Sequence, residues 1–212
     1  GLSVAWGGDL GVTPVDDEVL KICHGALSVF RKLGARVEEE HPDMSGLQEI
    51  VLVSRGASMV ARHAEKLSKW REVMQENLVK NIEYGLRLTA TDIGRAERLR
   101  TEIWHRVREF FGRFDLIVTP TTALPPFPVE VAAPTEINGK PMATYIDWVL
   151  LTYAFTVVGL PAISVPCGFT REGLPVGLQI VGRWRDEAGV LRAAAAFEAA
   201  QPWAHLRPPE PA

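Results

Sequence analysis

Apolar and polar positions change period several times along the chain, and each change marks an element. Leu2 to Trp6 is an apolar run of strand length, and the glycine-rich Gly7-Gly8-Asp9-Leu10-Gly11 after it predicts a bend. Val19, Leu20, Cys23, Ala26, Leu27 and Phe30 then recur at helical spacing, with Asp16-Asp17-Glu18 placed to cap that helix and Gly34 to close it. Alternation of Ala35, Val37 and Glu39 predicts a second strand. From Leu47 to Phe114 the pattern is helical, divided near Ser68 and again by Gly85 to Thr89. The last of these helices starts near Thr91-Asp92 and gathers Ile93, Leu99, Ile103, Val107, Phe110 and Phe111 on one side, with Arg and Glu on the others.

Asp115-Leu116-Ile117-Val118 reads as a short buried strand that runs into a proline-rich excursion through Pro141, too long for a simple connector. A short helix near Ala143 to Phe155 follows. Gly159 and Pro161 end it and aim the apolar strand Ala162 to Val165, with Gly159 supplying a left-handed or closely packed backbone position. Arg171-Glu172-Gly173 then turns the chain back into Val176 to Val181, a hairpin. Asp186 caps a final alanine-rich helix reaching about Ala200. Strands interleaved with helices predict an α/β fold with a mixed β-sheet covered by helices.

Lys and Arg total 23 against 26 Asp and Glu, so the net charge of −3 offers no field to attract nucleic acid or an anionic membrane. Trp148 to Thr170 lacks any charged side chain and approaches the length of a bilayer span, but Gly159, Pro161, Pro166 and Gly168 interrupt it. Buried strand and helix ends account for it better. The two cysteines, Cys23 and Cys167, are far apart in sequence and have no metal-type spacing, so no zinc site or disulfide framework is expected. A reducing, cytoplasmic compartment follows as the expectation. The opening Gly1-Leu2-Ser3, without an initiator Met or a signal-like segment, reads as a start inside a larger protein.

Several familiar chemistries lack their residues. No serine sits in Gly-x-Ser-x-Gly, and the phosphate-binding and dinucleotide-binding glycine patterns are missing. His63-Ala64-Glu65 mimics half of a zinc deaminase motif, but Pro166-Cys167 is not followed by the second cysteine that chemistry needs. Cys167 as a nucleophile would need a base that nothing in the sequence positions, so a small residue in a buried strand is the simpler role.

Two segments together resemble the C-terminal half of the amidase signature family. The first is Arg113-Phe114-Asp115-Leu116-Ile117-Val118-Thr119-Pro120-Thr121, preceded by the basic helix Ala96 to Arg100. The second runs from Phe155-Thr156-Val157-Val158-Gly159-Leu160-Pro161 through Pro166-Cys167-Gly168 to Gly182. The opening, Leu2 to Gly11 with Thr13 to Asp16, is similar to the family's strand-turn-helix after its catalytic half. The resemblance implies the C-terminal portion of an amidase-signature fold over residues 1–212, an incomplete domain. It also implies hydrolysis of a carboxamide through a serine acyl-enzyme, assisted by a second serine and a lysine. Those catalytic residues belong to a half that would precede Gly1, so none is assigned within this chain, and the portion alone is expected to be inactive.

In such a fold this half helps wall the acyl pocket, which makes Trp148, Thr152 and Phe155 candidate substrate-binding residues; packing the core is the competing role. Arg100 corresponds to a position that holds a substrate carboxylate in relatives using glutamine, against the simpler role of a surface arginine. Many relatives carry Asn where this chain has Thr156. The expected partners are a small-molecule amide, the missing N-terminal half and, through an exposed apolar face left by its absence, further copies of the chain as a homo-oligomer. No nucleic acid, membrane, metal or cofactor is expected. The competing function is a non-catalytic binding or interaction module derived from the same fold.

Overall fold

The computed structural model describes residues 1–206, which divide into two compact units: Gly1–Asp43 together with the chain from Arg106 onward, and Met44–His105.

The first unit is built on a five-stranded mixed sheet. Its strands are β1 (Ser3–Trp6), β2 (Arg36–Glu39), β3 (Leu116–Pro120), β6 (Ala162–Phe169) and β7 (Pro175–Gly182), in the order β2-β1-β3-β7-β6. β1 pairs in parallel with both β2 and β3, whereas β7 is antiparallel to β3 and to β6. Helix α1 (Asp17–Lys32) makes the crossover between β1 and β2. Asp16 caps it, its carboxylate accepting from the amides of Glu18 and Val19 at 2.9 and 3.0 Å, so the acidic group does what the sequence suggests.

α1 and the C-terminal helix α6 (Glu187–Ala200) pack on the sheet and on each other, with the Phe30 and Phe197 rings 5.3 Å apart. Val4, Ala5, Ile117, Val118, Leu178, Ile180 and Val181 fill the sheet between neighbouring strands, and all are fully buried. Asp115 ties the strand starts together: it accepts from the Ser3 amide at 2.8 Å and pairs with Arg183 at 2.8 Å.

The excursion after β3 contains a small hairpin, β4 (Glu136–Ile137) and β5 (Lys140–Pro141), that the hydrophobic pattern does not reveal. Its signal was the dipeptide Asn138-Gly139, whose φ values of 51° and 72° make the tight turn that twisted hairpins favour. Beyond it the expected helix over 143–155 is shorter, a 3₁₀ turn (Asp147–Val149) leading into α5 (Leu150–Thr156).

α5 ends at the glycine corner. The Leu160 amide donates to the Phe155 carbonyl and the Gly159 amide to the Thr156 carbonyl, both at 3.1 Å, with Gly159 at φ 71°. This is a Schellman closure, and it needs the left-handed conformation rather than close packing, because a Cβ on Gly159 would meet nothing within 4 Å.

The second unit is helical: α2 (Leu47–Trp70), α3 (Glu76–Leu86) and most of α4 (Ala90–Phe110), whose last turn belongs to the first unit. The first division falls after Trp70, in a 3₁₀ turn over Arg71–Val73, rather than near Ser68. α2 and α3 pack through glycines, with Gly56 against Gly85. α4 begins with a reciprocal cap: Thr89 donates through its amide and hydroxyl to Asp92, at 2.9 and 2.7 Å, and its hydroxyl accepts from the Asp92 amide at 3.2 Å. Ile93, expected on the inner side of this helix, is 42 % exposed. It lies in the first turn, one turn before Ala96, the first residue of this helix to be buried.

Candidate functional site

In a sheet with parallel strands, ligands gather beyond the strands' carboxyl ends. Here β1 and β3 run parallel and end at the Gly7–Gly11 bend and at Thr121, where the long excursion begins. The excursion is pinned by several polar contacts. Thr121 donates its amide to the Gly177 carbonyl at 2.9 Å, Ala123 to that of Trp148 at 2.8 Å, and Asp16 to that of Ala123 at 2.8 Å. The Asn138 side chain reaches back to the Val15 carbonyl at 2.8 Å. Asp147, 7 % exposed, accepts from the Ala143 and Thr144 amides at 2.8 and 3.2 Å and so shapes the entry into α5.

Three of the four candidate residues follow Asp147 along this segment, Trp148 in the 3₁₀ turn, Thr152 within α5 and Phe155 near its end. Trp148 is half-buried and stands edge-on to Phe127, ring centroids 5.1 Å apart. The Thr152 hydroxyl donates to the Val149 carbonyl at 2.7 Å, while its own carbonyl accepts from the Thr156 hydroxyl at 2.8 Å, so both threonine hydroxyls are spent on the helix. Phe155 is 1 % exposed and packs in the interior. Arg100 belongs to the helical unit, on α4, where its exposed guanidinium pairs with Glu97 one turn earlier.

A polar row crosses the sheet beneath α5. Thr119, Gln179 and Ser164 are register partners on β3, β7 and β6. The buried Gln179 amide donates to the Thr119 hydroxyl at 3.1 Å and to the Leu151 carbonyl on α5 at 3.3 Å, a satisfied interior pair that fastens the helix to the sheet. Ser164 shares a hydroxyl hydrogen bond of 2.7 Å with Thr121. Periodicity gave no sign of these polar side chains inside apolar strands, because each is a single residue in a run of Val, Ile and Leu.

A cleft of about 600 Å³ opens at the end of α5, between Thr156, the stretch Gly159 to Ile163, and Glu187, Val190 and Leu191 of α6. Thr156 lines it; Trp148, Thr152 and Phe155 do not. β6, the edge strand beside it, has its first residues less covered than those of β7.

Cys23 and Cys167, 144 positions apart, have their sulfurs at 3.7 Å, a proximity that spacing could not show. Contact with the Cys167 thiol, together with burial, pushes the Cys23 thiol above its ordinary range. Among the described residues no group of three or more His, Cys, Asp or Glu side chains is placed to hold a metal ion. No helix among them is long and apolar enough to cross a membrane.

Comparison with known proteins extends along the same stretch of chain. The amidase family profile matches residues 1–191. The chain is 39 % identical to an acylamidase of Rhodococcus erythropolis, over 98 % of its own length and 44 % of that protein's. It is 32 % identical to an amidase of Pseudomonas putida, over 92 % and 42 %. A bacterial aryl acylamidase of the amidase signature enzymes superposes with a TM-score of 0.83 at 30 % identity, covering 96 % of this chain and 44 % of that one. The chain therefore spans under half the length of these relatives. The match through residue 191 and the shared mixed sheet lead to one assignment: the chain belongs to the amidase family.

Proposed function

We propose that these 212 residues are the C-terminal portion of an amidohydrolase, both units forming part of one amidase-signature domain. The complete enzyme hydrolyses a carboxamide to a carboxylate and ammonia or an amine through a serine acyl-enzyme. Its nucleophile and the groups that activate it lie in a preceding segment, and this portion supplies scaffold and pocket wall. The observation that carries the reading is the 39 % identity with the Rhodococcus acylamidase across 98 % of this chain, combined with the lack of any glycine- and serine-rich run in the sequence.

On this reading Trp148 and Thr152 face the acyl group from the entry to α5, with Phe155 behind them, and Arg100 is the candidate for a substrate carboxylate. The uncovered β6 edge and the cleft beside it accept the preceding segment or, in its absence, a second copy of the chain. The free thiols fit a reducing cytoplasm.

The test uses the complete protein and a series of aryl and alkyl amides. Trp148→Ala raises KM for the bulkier acyl groups and leaves folding intact, and a serine-directed covalent inhibitor labels a peptide outside these 212 residues. A complete protein that hydrolyses no amide, takes up no inhibitor and yet binds amides would instead be a binding module.

A further inference from the structure

Two buried thiols in contact are an unused chemical resource in this fold, and the backbone around them is arranged for their meeting. Cys23 lies on α1, fully buried, and Cys167 on β6, 5 % exposed. The β6–β7 register passes from Pro166 opposite Gly177 to Gly168 opposite Val176, so Cys167 is the extra residue of a bulge and has no cross-strand partner. A bulge re-aims the side chain it carries, and here the Cys167 sulfur reaches 3.7 Å from that of Cys23.

The next residue lets α1 come close enough. A Cβ on Gly168 would stand 2.7 Å from the Ile22 side chain, the neighbour of Cys23. The Gln201 amide donates to the Cys167 carbonyl at 3.0 Å and holds the bulge from the far end of the chain. Carbonyls of Val176 and Gly177 lie 3.4 and 3.7 Å from the two sulfurs, one to each.

We propose that Cys23 and Cys167 form a covalent modification site, a disulfide that pins α1 to β6 when an oxidant of the azo or disulfide class reaches the pair. Two S–H bonds break and one S–S bond forms. The two electrons and two protons go to the oxidant; with diamide, the N=N bond is reduced to HN–NH. A bonded pair needs roughly 2.05 Å between sulfurs, so forming the bond closes the present 3.7 Å separation by about 1.7 Å. With no third His, Cys, Asp or Glu ligand grouped there among the described residues, pairing with each other is the chemistry the two sulfurs have available.

The experiment exposes the complete native protein to diamide, alkylates the remaining thiols in denaturant, and digests with trypsin without reductant. The expected product is the peptide Ile22–Arg31 joined to the one carrying Cys167, lighter by two hydrogens than the separate peptides, and released by dithiothreitol. Cys23→Ala and Cys167→Ser each abolish it. The linked protein unfolds at a higher urea concentration than the reduced one, since the link closes a loop spanning 144 positions. Both cysteines recovered fully alkylated, each carrying a separate oxidant adduct, or a linked protein no more resistant to urea would overturn the proposal.

Discussion

The corner between α5 and β6 depends on one backbone conformation, and substitutions at Gly159 read it directly. At φ 71° an L-residue pays roughly 1–2 kcal/mol for bringing its Cβ toward the following carbonyl. Because a Cβ there meets nothing within 4 Å, no steric term adds to this. For alanine, about 0.4–1 kcal/mol returns through the stiffer unfolded chain, leaving a net loss of about 1 kcal/mol. Valine, β-branched and poorly suited to positive φ, loses about 2 kcal/mol, whereas asparagine, which tolerates this region, loses ~0.5 kcal/mol. Urea titration followed by circular dichroism measures the series, with an unchanged slope expected for each variant. If Gly159→Val matched wild type, the corner would be misplaced. If Gly159→Asn cost as much as Gly159→Val, crowding rather than φ would govern the site.

Other consequences are equally open to measurement. Gly85→Ala puts a Cβ 2.2 Å from the Gly56 carbonyl oxygen, so the expected overpacking of roughly 1–3 kcal/mol outweighs the helix-propensity gain, while Gly25→Ala on α1 meets nothing and stabilises by up to about 1 kcal/mol; the same titration gives opposite signs. The Arg113 hydrogen bond holds the Glu40 carboxyl below its ordinary range, and hydrogen bonds from Thr89 do the same for Asp92. Their contributions are complete above about pH 5 and disappear as pH falls through the lowered folded-state values, so Glu40→Gln flattens the acid limb of a melting-temperature profile. Thr156→Asn loses one exposed hydroxyl bond to the Thr152 carbonyl and leaves the urea midpoint nearly unchanged, but it alters the relative kcat/KM among amides in the complete protein, because Thr156 is bonded to the backbone of Thr152 on the helix proposed as pocket wall.

Where a side chain and its backbone role are local, the chain could be read directly. Asp16 and Asp186 cap the helices they precede, Gly159 turns left-handed, and strands form on the apolar runs around Ile117, Ile163 and Ile180, although β6 continues past the expected end at Val165, through Pro166, to Phe169. Asn138-Gly139 was also local but was overshadowed by the prolines around it. Ile93 shows the opposite failure, since helical spacing fixes a face but not how far along the helix that face is covered.

The site was less legible because its contacts are made across the sequence. Gln179 meets Thr119 from 60 positions away, Ser164 meets Thr121 from 43 and Cys167 meets Cys23 from 144, distances over which spacing carries no information. The family itself was legible because Gly159-Leu160-Pro161 through Gly182 encodes a helix end, an edge strand, a bulge and a turn in one unbroken stretch.

The central claim is that this portion builds the wall and scaffold of an amidohydrolase whose nucleophile lies elsewhere in the protein. Release of amine from an aryl amide measures it most directly, comparing the purified 212-residue chain with the complete protein at equal concentration. The account predicts no release above buffer from the chain and steady turnover from the complete protein. Turnover by the 212 residues alone, or none by the complete protein, would contradict it.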